Sequence, residues 1–402
     1  MTGPSVAHRI ARAVVRAIPD PIADRVVPWR RRAFAAAGVS STRPAERRLL
    51  IGPVNSAGQG YAWARAAETL PDTSACDFMY RGASDAFRFP ADHSVPTPYF
   101  VHNKRWQRAQ RRAIIRGFTH VLIESGRGIY APDDLRGQIA DLTARGVRVG
   151  LLFHGSDIRI PSLHAQRDED SPFRDDGYED QEALERVAQE NHRLMAELDL
   201  PVFVSTPDLL EWAPRATLLP VVVEPERWRA AAPQPPLQRE RPVVVHAPSR
   251  AGLKGTALVE DALQRMHADG RIELRLVSDI PAAEMPALYG RADIVLDQFG
   301  LGIYGVAACE AFAAGRLVIS RTSETVRAEA RRLTGQDLPI VESRGRDIVE
   351  TLERVIADRE RFAAIAARGP VFVDALHSGA HSARVLEGFL AGSGQYAHAR
   401  MG

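Results

Sequence analysis

Cysteine is nearly absent from this 402-residue chain: Cys76 and Cys309 are the only two. They make neither a disulfide framework nor a metal-type cluster, so the cytoplasm is the expected setting and no metal is expected. Lysine is as scarce. Lys104 and Lys254 stand alone and all the other basic side chains are arginine, which raises the question of what a compact ammonium does at each place. No apolar run approaches the roughly 18 residues of a bilayer span, and the N-terminal stretch lacks the long apolar core of a secretory signal. An excess of one charge is missing too. Fifty acidic against 52 basic side chains leave +2 at pH 7, too little to make nucleic acid the expected partner. What remains is ordinary: 45% hydrophobic and 25% charged residues can bury a full core and exclude a disordered or fibrous chain. At roughly 150 residues per domain, two domains are expected.

Residues 1–47 are basic and alanine-rich. Val6, Ile10, Ala13, Val14 and Ala17 recur at near-helical spacing with Arg9, Arg12 and Arg16 between them, and Pro19, Pro21 and Pro28 break the pattern. Short apolar runs at 49–52, 120–124, 147–153 and 201–205 then read as buried parallel strands, alternating with helical patterns at 61–70, 104–116, 133–144 and 181–198. That alternation predicts a doubly wound α/β domain over 48–228. The stretch 229–241, with Pro233, Pro235 and Pro236, reads as a linker. Strands at 243–246, 273–277, 294–296 and 317–320, with helices at 256–267, 282–290 and 305–314, predict a second such domain over 242–372. Helical patterns at 347–367 and 379–390 close the chain, and the tail 373–402 can cross back to the first domain. Two Rossmann-like domains of this kind face each other across a cleft at the carboxyl ends of their strands.

Four segments at strand ends carry chemistry. Gly52 to Gly60 is a glycine-rich turn opening a helix at Tyr61; Gly58 and its neighbours can present N–H groups to an anion, or simply make a tight turn. His154 and Asp157, three residues apart after the strand at 147–153, can hold sugar hydroxyls and settle charge near a reacting centre. Arg250 and Lys254 stand among small residues between His246 and Thr256, as a diphosphate site requires; Lys254 is expected at a helix N-terminus, where only an anion reconciles it with the dipole. Asp297 to Gly315 is a second glycine-rich loop leading into a helix with Glu310 on its second turn, where a carboxylate can accept both hydroxyls of a ribose.

Together these segments resemble the retaining glycosyltransferases of the GT-B fold, family 4, also called glycosyltransferases group one. The resemblance runs from about Leu49 to Leu390 and is most specific between His246 and Ser320. It implies that Arg250 and Lys254 bind the donor's diphosphate and that Glu310 is the second Glu of a Glu-seven-residues-Glu motif, with Tyr304 and Gly305 in place of the usual Phe-Gly. His154, with Asp157 following in a His-x-x-Asp pattern, maps to the histidine beside the reacting sugar. The first Glu of the motif falls on Gly302, a departure. Asp297 can replace it in part, or the N–H groups of Tyr304, Gly305 and Val306 can hold the sugar. Leu219 to Pro225 resembles the family's segment before the linker, without its Asn-Gly.

The implied activity is transfer of a sugar from a nucleotide diphosphate sugar to a hydroxyl acceptor, without a cofactor. A nucleotide-sugar epimerase of the same fold and a catalytically silent sugar-nucleotide binding module are the alternatives. Asp168-Glu169-Asp170 has the look of a metal motif but sits in a charged stretch, 167–180, that reads as a solvated loop. The arginine-rich stretches at 6–17 and 104–116, the latter with Trp106, suit peripheral contact with an anionic membrane; the plain alternative is a solvated helix face.

Overall fold

A computed structural model describes residues 38–82, 85–174 and 178–392, with isolated positions between 22 and 32. The amphipathic stretch at 6–17 lies outside the described residues.

The chain forms two wholly parallel sheets. The first has seven strands in the order β3-β2-β1-β4-β5-β6-β7: β1 Arg47–Gly52, β2 Thr73–Arg81, β3 His93–Pro96, β4 His120–Glu124, β5 Arg148–Phe153, β6 Val202–Val204 and β7 Thr217–Leu218. The second has five, in the order β12-β11-β10-β8-β9: β8 Val243–His246, β9 Glu273–Leu276, β10 Ile294–Leu296, β11 Leu317–Ser320 and β12 Ile340–Glu342. The continuously apolar strands β1, β4, β5, β8, β10 and β11 were legible because parallel sheets are covered by helices on both faces. Strand β2 was not. Its Thr73, Ser74 and Asp77 interrupt the apolar run, yet all three are buried. The carboxylate of Asp77 accepts the Asp92 N–H and that of Asp92 accepts the Asp77 N–H, a reciprocal pair that ties the strand to the loop before β3. Burial pushes the Asp77 pKa up.

In each sheet the strand order reverses at one place, between β1 and β4 in the first and between β8 and β10 in the second. The loops leaving these strands diverge and open a crevice, which is where open α/β sheets take ligands. The segments singled out in the sequence leave three of these strands, β1, β8 and β10, and also β5.

The stretch 229–241 differs from its reading as a plain linker. It begins inside a helix, Pro225–Ala231, because Pro225 can start a helix at its first turn, and Leu237 is buried with its N–H on Asp293. The last helix, Ala380–Ala391, returns to the first sheet, packing Leu386, Phe389 and Leu390 against Leu49, Trp63, Leu122 and Phe203.

Two surface readings are corrected. The helix Lys104–Gly117 turns Trp106 inward, where its ring stacks on Phe78 and its indole N–H reaches the Gly38 carbonyl. An aromatic with 1% exposure is no membrane anchor. Asp168-Glu169-Asp170 is not a solvated stretch either: it docks on the second half of the chain. Asp168 and Asp170 meet Arg321 at 2.6 and 3.3 Å, and Glu169 meets Arg344 and Arg346. Three arginines distant in sequence neutralise three adjacent carboxylates and clasp the two halves together.

Candidate functional site

A cleft of ≈ 470 Å³ lies between the halves, lined from the first by Ser56, Ala57, Ser125, His154 and Asp157 and from the second by Arg250, Lys254, Val306 and Glu310. Of the residues expected there, Gly58, Asp297, Tyr304 and Gly305 stand behind its walls.

On the first wall the organising group is Glu124, at the carboxyl end of β4 and fully buried. One carboxylate oxygen accepts the N–H groups of Val54 and Asn55, both at 2.8 Å, holding the turn after β1. The other meets His154 Nε2 at 3.0 Å. The imidazole stacks on Trp63 with centroids 5.7 Å apart, and its Nδ1 has no protein partner among the described residues. Burial pulls the His154 pKa down; the hydrogen bond and charge of Glu124, with the charge of Asp157, more than offset this and leave it raised. Asp157 is spent on the turn itself. It accepts the N–H groups of His154 and Gly155 and the hydroxyl of Ser125, so it positions His154. Sequence reasoning missed Glu124 because it reads as the polar end of an apolar strand. Gly58, at φ +75°, caps the helix Gln59–Ala67, and a Cβ there would come within 3.0 Å of the Phe89 ring. The tight-turn alternative describes it.

On the second wall Lys254 does not stand at a helix N-terminus. It closes the short helix Ala251–Lys254, where a cation suits the dipole, and Gly255 at φ +70° ends that turn. Its ammonium pairs at 2.6 Å with Asp297, whose other oxygen accepts the Gly305 N–H at 3.2 Å. Asp297 is thereby committed to Lys254 and the loop, and the Gly305 N–H to Asp297. The Tyr304 ring is buried, with its hydroxyl 3.2 Å from His377 Nε2. Val306 opens the helix Val306–Ala313 at the cleft, and Glu310 follows one turn on. Burial raises the Glu310 pKa to about 8, with Arg227 lowering it and Asp297 adding to the rise. Arg250 is exposed and has no carboxylate partner among the described residues. Gly302 adopts φ +70°, and a Cβ added there would lie in ordinary van der Waals contact with Ser323 and Arg321, the nearest atom 3.6 Å away.

With this geometry in place, the fold is identified as GT-B. Solved structures of like architecture include a sucrose-phosphate synthase from Thermosynechococcus elongatus, at 13% identity and TM-score 0.50, covering 87% of this chain and 100% of that one. A glycosyltransferase from Rickettsia africae matches at 10% identity and TM-score 0.51, covering 89% and 100%. HepE from Anabaena, solved with UDP-glucose, matches at 11% identity and TM-score 0.50, covering 86% and 99%. No protein-family model matches the sequence, and no curated protein matches it.

Two outcomes follow from these pKa shifts. Glu124→Gln should lower the His154 pKa, read from the imidazole C–H shifts in an NMR titration, by about one unit or more, since it removes the charge that favours imidazolium. An unmoved titration contradicts the pairing. Glu310 takes up a proton on folding, so the stability it contributes is present at low pH and is lost as pH rises from the ordinary carboxyl range through about 8. Glu310→Gln should match the parent's stability at pH 5 and exceed it at pH 9, by on the order of 3 kcal/mol in urea denaturation.

Proposed function

We propose that this chain is a retaining, metal-independent hexosyltransferase that moves a sugar from a nucleotide diphosphate donor to a hydroxyl acceptor. The observation that carries the reading is one wall: Arg250 without a carboxylate partner among the described residues, the N-terminal end of the helix Val306–Ala313, and the half-buried Glu310 carboxyl one turn further on. A guanidinium and free helical N–H groups suit a diphosphate, and a carboxyl at that distance along the helix suits ribose hydroxyls. HepE, of the same fold, is known with UDP-glucose bound. His154 faces this wall from the other half, with Nδ1 available to a hydroxyl of the donor sugar.

In the reaction the bond from the sugar C1 to the donor phosphate oxygen breaks while C1 bonds to the acceptor oxygen on the same face. The acceptor's proton passes to the departing phosphate oxygen, so no side-chain base is required. Arg250, Lys254 and the helix N-terminus neutralise the charge that builds on the diphosphate. Lys254 acts with Asp297 already beside it, which fixes the ammonium and lowers its net charge.

The chain is read as a cytoplasmic protein that meets anionic membrane peripherally. The support is the helix Lys104–Gly117, whose exposed Lys104, Arg108, Arg112 and Arg116 recur every fourth residue as one stripe. No helix among the described residues is long and apolar enough to cross a membrane.

Arg250→Ala tests the donor site better than Lys254→Ala, which would strand the buried Asp297. It should weaken UDP or GDP binding by about 2 kcal/mol in calorimetry with the melting temperature unchanged; equal affinity in parent and variant overturns the assignment. Exchanging Arg108 and Arg112 for Glu should abolish low-salt co-sedimentation with phosphatidylglycerol vesicles, and retained sedimentation rejects that surface.

A further inference from the structure

Besides the groups assigned to the donor, the cleft carries a second guanidinium without a carboxylate partner among the described residues. Arg127 lines the first wall, is exposed, and has no carboxylate partner among the described residues. Its Nη1 donates to the Tyr80 hydroxyl at 2.6 Å. It thus reaches from the turn after β4 to the end of β2, across the end of β1 between them. The carboxylate on the same wall, Asp157, is already engaged by the turn after β5 and by Ser125. A guanidinium stays charged at every physiological pH, so an unpaired one on a concave wall is a standing place for an anion.

The same cleft is also lined by two aromatic rings. Phe87 and Phe89 stack with centroids 5.9 Å apart and planes at 26°, half-buried and lining the cleft. Their loop is built from both halves of the chain. Arg81 pairs with Asp85 and donates to the Phe89 carbonyl, Asn55 Nδ2 donates to the Pro90 carbonyl at 2.8 Å, and the Ala282 N–H of the second half reaches the Phe87 carbonyl at 2.8 Å. The Phe89 ring rests on Gly58, whose missing side chain admits it.

We propose that Arg127, Phe87 and Phe89 form the acceptor subsite, and that the acceptor is a pyranoside bearing an anionic substituent, carboxylate or phosphate. The apolar C–H face of the sugar ring lies on Phe87 and Phe89, and the anionic group meets Arg127. An aromatic face offers apolar area with a negative quadrupole, which suits polarised C–H groups, while a guanidinium suits planar or tetrahedral oxyanions. A neutral acceptor leaves Arg127 idle, and the donor's phosphates are served from the opposite wall. This inference rests on the transferase reading above, and its test keeps the two apart.

Saturation-transfer NMR on the UDP-loaded protein, with methyl glucoside, methyl glucuronide and glucose 6-phosphate as probes, reads the subsite directly. The anionic pyranosides should bind about tenfold more tightly than methyl glucoside, with saturation strongest on the protons of one ring face. The stronger of the two anionic probes identifies the substituent. Arg127→Gln should erase the anionic preference, and Phe87→Leu or Phe89→Leu should weaken all three probes, each variant keeping the parent's UDP affinity. Failure of the parent to bind any nucleoside diphosphate defeats the transferase reading. UDP binding without pyranoside saturation, or an anionic preference that survives Arg127→Gln, overturns the acceptor inference alone.

Discussion

The chain first passes from one sheet to the other through a short segment, Pro220 to Val223, that lacks strand neighbours to satisfy its backbone. Buried carbonyl and N–H groups without partners would cost about 1–3 kcal/mol each, so side chains must supply the bonds. Trp63 Nε1 and Ser382 Oγ both donate to the Pro220 carbonyl at 2.8 Å. The Gln59 amide brackets Val222, accepting its N–H at 2.6 Å and donating to its carbonyl at 3.0 Å. His377 Nδ1 donates to the Val221 carbonyl at 2.8 Å, and the Val223 N–H returns to the His377 carbonyl. Burial lowers the His377 pKa to about 4, so the ring stays neutral, with Nε2 left to accept from the Tyr304 hydroxyl. Both walls of the cleft hang on this crossing: Trp63 also backs the His154 ring, and Tyr304 precedes the Gly305 N–H that Asp297 holds.

Three carboxyl groups near the cleft illustrate how environment assigns roles to one functional group. Glu124 is buried but meets two backbone N–H groups and an imidazole, and so serves as an anchor. Asp297 is buried against an ammonium and a backbone N–H, and so fixes Lys254. Glu310 is half-buried without a hydrogen-bond partner among the described residues, and burial leaves its pKa raised.

Much of this was legible in the order of residues. Alternating apolar runs and helical periods mark an α/β chain because a parallel strand must be apolar on both faces and its crossover helix on one. Turns rich in glycine at strand ends point to the cleft, since only there do loops leave both sheets on one side. His154, Arg250, Lys254 and Glu310 follow from that placement, and all four line the cavity. Strands β3, β7 and β12 were beyond reach, being two to four residues long and without an apolar run.

What the sequence by itself determined is therefore local: the period of each element, the residues at its end, and the charge they carry. What only the tertiary structure decided is which charges meet. Glu124 and His154 are 30 positions apart, Lys254 and Asp297 are 43, and Arg81 holds the loop that brings Phe87 and Phe89 to the cleft. The acidic run 168–170 looks like a solvated loop until arginines at 321, 344 and 346 are folded against it. The physical reason is that a hydrogen bond or ion pair depends on distance through space, and chain separation sets that distance only within a helix turn or a hairpin.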